Sequence, residues 1–205
     1  MELEQKHIEA LNQAEATMFH WDFCPYLELK EILTISTTEA QRRFRLLFSD
    51  YYGLDLAGLS DHFKDEYFKI LLAGNVLIPG ESDFATILKK LYCILRKQGD
   101  HALQLSFVSK LVAIHCEASP IYDRRIQEFF HEYDPGASVD QDDRIRWFID
   151  FLQRVSVSYT AWAGDARVIP IMDRLKKRDA RLAACHPVRL MDFLVWKVGS
   201  LQLLR

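Results

Sequence analysis

Within Leu105–Phe130, LSFVSKLVAIHCEASPIYDRRIQEFF, a lysine and an aspartate stand thirteen residues apart, Lys110 in an apolar run and Asp123 just after a Ser119-Pro120 break. A lysine set among apolar groups loses hydration, which favours its neutral amine. A neutral amine is a nucleophile that can form a Schiff base with a carbonyl-like carbon. The plainer reading is that the stem packs and the ammonium reaches water. Asp123 opens the next helical segment. A carboxylate there caps free amides, and the same group could stabilise positive charge at a reacting centre.

On a helical wheel of about 100° per residue, Leu103, Phe107, Leu111 and Ile114 share one side, and Leu105, Val108 and Val112 extend it. Ser106, Ser109, Ala113 and Glu117 make a narrow strip of small or polar groups. Lys110 lies at the border of that strip, where small residues would leave room for a reactant. Ser109, Arg124 and Arg125 flank the pair and could reach phosphate. Phe19, Trp21, Phe107, Tyr122 and Trp162 offer aromatic faces on which a planar ligand could stack. Asp192 and Trp196 are i, i+4 neighbours that either pack locally or border such a site.

The other motif classes are missing. Cys24, Cys93, Cys116 and Cys185 are scattered, share no metal-ligand spacing and read as reduced thiols of a cytoplasmic protein. The seven histidines show no HxxxH spacing, so no metal and no cofactor is expected. There is no GxSxG, phosphate-loop or dinucleotide motif. No apolar run approaches the roughly 18 residues of a membrane span, and the charged N-terminus does not read as a secretion signal.

The net charge of −3 does not advertise a nucleic-acid binder, but it averages over an asymmetry. From Ala166 to Arg205 nine basic residues face three acids, a net of +6, with Arg174, Lys176 and Lys177 close together. Such a segment could meet phosphate or simply be a solvated helix face.

The elements that must hold these residues read as helices. Apolar periodicity predicts segments near 3–19, 26–33, 38–51, 60–73, 83–96, 102–116, 120–131, 142–162, 166–184 and 187–203. Thr37 or Thr38, Ser60, and Ser82 or Asp83 serve as N-caps, Gly99 as a helix stop and Pro187 as a first-turn residue. GNVLIPGESD and HEYDPGASVDQDD read as loops. The expectation is all-α, about nine or ten helices in one domain over 1–205, with room for two lobes and a cleft near 105–130.

The run SFVSKLVAIHCEASPIYDRRIQEFF resembles the lysine-to-aspartate segment of helix–hairpin–helix DNA glycosylases, closest to prokaryotic 8-oxoguanine DNA glycosylase-like proteins. HPVRLMDFLVWKVGSL is similar to their C-terminal helix. The resemblance covers about forty residues and implies a compact two-lobed helical bundle acting on double-stranded DNA with a flipped nucleotide. It implies Lys110 as the nucleophile at the sugar C1′ and Asp123 as the carboxylate assisting base departure, with strand cleavage open to the Schiff base. Two departures stand out. The family's glycine-rich hairpin is replaced by Gln104-Leu105-Ser106-Phe107-Val108, and the Lys110–Asp123 spacing is several residues shorter than usual. Two functions therefore remain from sequence: a DNA glycosylase with or without lyase activity, and a non-catalytic helical module that binds nucleic acid or protein.

Overall fold

The apolar periodicities resolve into α-helices throughout. The computed structural model describes residues 1–73 and 81–204, those at 81–83 by their backbone alone. Among them are ten α-helices and three short 3-10 turns, with no strand. The helices are α1 (Gln5–Thr17), α2 (Cys24–Leu33), α3 (Thr38–Tyr52), α4 (Asp61–Leu72), α5 (Glu81–Tyr92), α6 (Leu105–His115), α7 (Arg124–Phe130), α8 (Gln141–Ala163), α9 (Ile169–Lys176) and α10 (Pro187–Leu201). The 3-10 turns are His20–Asp22, Leu54–Leu56 and Ala180–Ala184. No described helix is long and apolar enough to cross a membrane.

Contacts divide the chain into two units, Met1–Phe23 with Glu117–Arg205, and Cys24–Cys116. The first is built on α10, which packs against α1, α7, α8 and α9. Its residues from Val188 to Val195 are buried without interruption, Arg189 and Asp192 among them. A helix apolar all round belongs inside a bundle. Pro187 occupies its first turn and the His186 ring accepts from the Val188 amide. An aromatic layer from α7 and α8 completes this core. Phe130 stacks on Trp162 at 5.5 Å, and Tyr122 meets Phe148 and Phe151 edge-on at 5.2 and 5.6 Å.

The second unit has its own core of Phe44, Phe48, Phe63, Tyr67 and Leu111, all essentially inaccessible. Thr37 caps α3 and Ser60 caps α4 through side-chain oxygens, which satisfy amides that the first turn leaves unpaired. Gly53 closes α3 at φ +70, a conformation that costs glycine little.

Several boundaries differ from the sequence expectation. The fifth helix stops at Tyr92 rather than Arg96. The following turn is closed by Arg96 N–H donating to the Asp100 carbonyl and by a His101 ring nitrogen donating to the Tyr92 carbonyl. The segment 166–184 is two elements, because Asp179 caps a separate 3-10 turn after α9. The helix expected from Pro120 begins only after Asp123. Residues 74–80 of the expected GNVLIPGESD loop lie outside the described residues, and the expected cap at Ser82 or Asp83 falls where side chains are not described.

Candidate active site

Lys110 sits on α6, in the second unit. Eight of that helix's eleven residues are buried, and Lys110 is half-buried. Its Nζ lies 5.0 Å from the centre of the Phe107 ring and 5.4 Å from that of Tyr52, over both faces. Aromatic faces attract a cation, so these contacts fix where the amine sits. Tyr52 is itself packed against Phe48 and Tyr51, at 4.6 and 4.7 Å.

The helix is pinned along its length. The buried Tyr67 hydroxyl donates to the Phe107 carbonyl at 2.8 Å, and burial pushes that phenol's pKa well up. Lys30 Nζ donates to the Ile114 carbonyl at 3.1 Å, and the His115 ring donates to the Leu71 carbonyl at 2.8 Å. Burial holds the His115 imidazole below its ordinary value. The middle of the strip of small residues is covered: Ser109 and Ala113 are fully buried, whereas Ser106 and Glu117 at its ends are half-buried, and the Ser109 hydroxyl donates to the Ser106 carbonyl at 2.9 Å.

Asp123 sits in the first unit as the N-cap of α7. It is half-buried, and its Oδ1 accepts from the Ile126 amide at 3.0 Å. Two residues shortly before it, Ser119 and Ile121, are held by α10. Arg189 Nη2 donates to the Ser119 carbonyl at 2.9 Å, and the Asp192 carboxylate accepts from the Ile121 amide at 3.1 Å. Arg189 and Asp192 pair with each other, both buried. Two backbone groups on the approach to Asp123 are thus fixed by one buried ion pair.

Burial pushes the Asp192 carboxyl up to about 7, against the opposing pull of the Arg189 guanidinium and the Ile121 amide. The nearby Asp123 charge adds to the rise. Desolvation wins because both partners have left water. Tyr159 completes this buried polar group. Burial raises its pKa well above the ordinary value, with Asp192 and Asp123 adding to the rise. Its hydroxyl has no hydrogen-bond partner among the described residues.

The expected phosphate ligands are placed as follows. Arg124 is exposed and pairs with Glu128 at 2.8 Å. The Arg125 guanidinium lies 4.2 Å over the Trp196 ring. Arg174 donates to Glu15 at 2.8 Å, and Lys176 lies 3.6 Å from Asp173. Lys177 is exposed and has no ion-pair partner among the described residues. Much of the basic C-terminal quarter is spent on internal pairs. Arg178 also binds Glu15, Arg181 binds Asp179, Arg189 binds Asp192 and Lys197 binds Asp22.

Of the aromatic groups that could stack a base, Phe107, Tyr122 and Trp162 are core residues, whereas Phe19 and Trp21 are exposed. A pocket of about 360 Å³ opens beside the C-terminal ends of α7 and α10, lined by Phe129, His131, Val198 and Gly199; neither Lys110 nor Asp123 lines it. Sequence reasoning missed Tyr52 as the neighbour of Lys110, since nothing local links residues 58 positions apart. It also missed Arg189 as a partner of Asp192, although their i, i+3 spacing was a usable signal. Comparison with protein-family models, curated proteins and solved structures found no match.

Proposed function

We propose that the chain is a DNA glycosylase that removes a damaged or modified base, with Lys110 as nucleophile and Asp123 as the assisting carboxylate. The observation that carries the reading is the setting of Lys110: a half-buried amine held over two aromatic faces on a helix pinned from three sides. A fixed amine is what an attack on a sugar carbon needs.

In this mechanism the target nucleotide is flipped out of the duplex. Lys110 Nζ, after giving up one proton to solvent, uses its lone pair to form a bond to C1′ as the glycosidic C–N bond breaks and that bond's electron pair leaves with the base. The Asp123 carboxylate stabilises the positive charge that develops at the sugar. Loss of the amine proton and opening of the sugar ring then give a Schiff base. That intermediate either hydrolyses or loses the 3′ phosphate by elimination. The Arg189–Asp192 pair acts on this chemistry only through the backbone that delivers Asp123.

The test is base release from duplexes carrying a panel of modified bases, with Asp123→Asn and Lys110→Gln run in parallel. Release by the wild-type chain that both variants lose supports the roles; full activity in either variant removes that residue from the mechanism. A second reading, a non-catalytic helical module binding nucleic acid or protein, is favoured by the missing glycine hairpin and by the internal pairing of so many C-terminal cations. That reading predicts no base release from any duplex.

A further inference from the structure

The turn His20–Asp22 exposes two large aromatic groups that serve no core. Phe19 is 54% and Trp21 67% exposed, and their rings lie nearly parallel, 17° apart, with centroids 4.6 Å from each other. An exposed pair of this size leaves much apolar area in water, a cost that binding surfaces characteristically carry.

The turn that presents the pair is held firmly. Asp22 Oδ2 accepts from the Phe19 amide at 2.7 Å and from Lys197 Nζ at 2.9 Å, with Asp22 and Lys197 both largely buried. Phe23 is buried against Phe193. Arg178 Nη1 donates to the Met18 carbonyl at 2.8 Å. The stacked rings are therefore preorganised rather than loosely displayed. Lys197 also lies 5.7 Å from the centre of the Phe19 ring.

The same corner is cationic. Arg174 and Arg178 share the single carboxylate of Glu15, and Lys177 beside them is unpaired among the described residues. Lys176, Arg181 and Lys197 are each balanced by an aspartate. The corner keeps an excess of two positive charges in a chain whose net charge is −3. Exposed ring faces beside uncompensated cations are the combination that binds single-stranded nucleic acid, with bases on the rings and phosphates on the cations.

We propose that Phe19 and Trp21 form a stacking platform for unpaired bases of single-stranded DNA, with Lys177 and Arg178 meeting its phosphates. The choice of DNA rests on the glycosylase reading; the platform itself rests on the rings and charges. The probe is an undamaged oligothymidylate longer than about 16 nucleotides, titrated into the full chain while tryptophan fluorescence is followed. Quenching is expected, and Trp21→Ala and Phe19→Ala should each weaken binding about tenfold. Both sites are exposed, so folding is not at stake; circular dichroism verifies it. Lys177→Gln should flatten the slope of log affinity against log salt by about 0.7.

Absence of quenching in the wild type, or unchanged affinity in both ring variants, would overturn the platform. If base release fails while the oligothymidylate still binds through Trp21, the glycosylase reading falls and the platform stands. If base release occurs but the ring variants bind normally, the platform falls alone. Binding of a single-stranded RNA of the same length at least tenfold tighter than the oligothymidylate would overturn the assignment to DNA.

Discussion

At the scale of single residues, Asp123 caps α7, and substitution can separate that duty from the catalytic one proposed for it. Asparagine caps a helix about as well as aspartate, so Asp123→Asn should keep α7 and leave the melting midpoint nearly unchanged. It removes the negative charge, so base release should fall about a hundredfold or more, in the range for a positioned catalytic carboxylate. Asp123→Ala loses both functions and should cost about 1 kcal/mol in urea unfolding. Equal activity in the wild type and Asp123→Asn would leave Asp123 with its cap alone.

Asp192 gives a prediction in pH. Its folded carboxyl is pushed up to about 7, above its unfolded value, so folding favours the protonated form. That contribution is complete below about pH 4 and is lost as pH rises through about 7. Asp179 is opposite in sign. Arg181 holds it down to about 2, so its contribution is present above about pH 4 and lost as pH falls through about 2. Urea midpoints of the wild type relative to Asp192→Asn should therefore decline between about pH 4 and 7. Parallel curves over that window would show that Asp192 does not titrate there.

At the scale of elements, Gly199 decides how closely α7 approaches α10. A Cβ at that position would stand 2.6 Å from Arg125 Cβ and 3.3 Å from its Cα. Neither atom is the far end of a flexible chain, so the helices must move apart. Gly199→Ala should cost about 1–3 kcal/mol. Because Asp123 begins α7, Gly199→Ala should also slow base release. A stable and fully active Gly199→Ala would show that the position of α7 is not critical.

The elements legible in the sequence were those with local signals. The caps at Thr37 and Ser60, and the proline that opens α10, rest on chemistry within one turn. The boundaries that shifted were set from a distance. Pro120 looks like a helix start, but Arg189 and Asp192, some seventy residues on, hold Ser119 and Ile121 and delay the helix to Arg124. The break after α9 lies inside the polar run Lys177-Arg178-Asp179, where an amphipathic pattern has no apolar residue to lose. The wheel placed Lys110 at the edge of a buried face, which its half-burial matches. It could not show that the middle of the neighbouring small-residue strip is covered, since Ser109 and Ala113 carry no mark of what packs on them.

At the scale of the whole molecule, charge and chemistry point in different directions until the pairs are resolved. A net of +6 over the last forty residues suggests a broad phosphate-binding surface. Asp173, Asp179 and Asp192 are already counted in that net, and pairing with Glu15, Asp22 and Asp165 from outside the segment lowers it to about three uncompensated charges. Affinity for undamaged DNA should accordingly depend on salt less steeply than nine cations would give, with a slope corresponding to about two or three phosphate contacts. A slope of six contacts or more would mean that the internal pairs open on binding.

The central claim is that Lys110 attacks a sugar carbon, and borohydride reduction tests it most directly. The protein is incubated with duplexes carrying an abasic site or 8-oxoguanine, in the presence of borohydride, beside Lys110→Gln. The account predicts a covalent protein–DNA band in the wild type that disappears in the variant while the variant remains folded. A band of equal strength in Lys110→Gln would place the Schiff base on another amine. No band on either duplex, with no base released, would contradict the account and leave the binding-module reading.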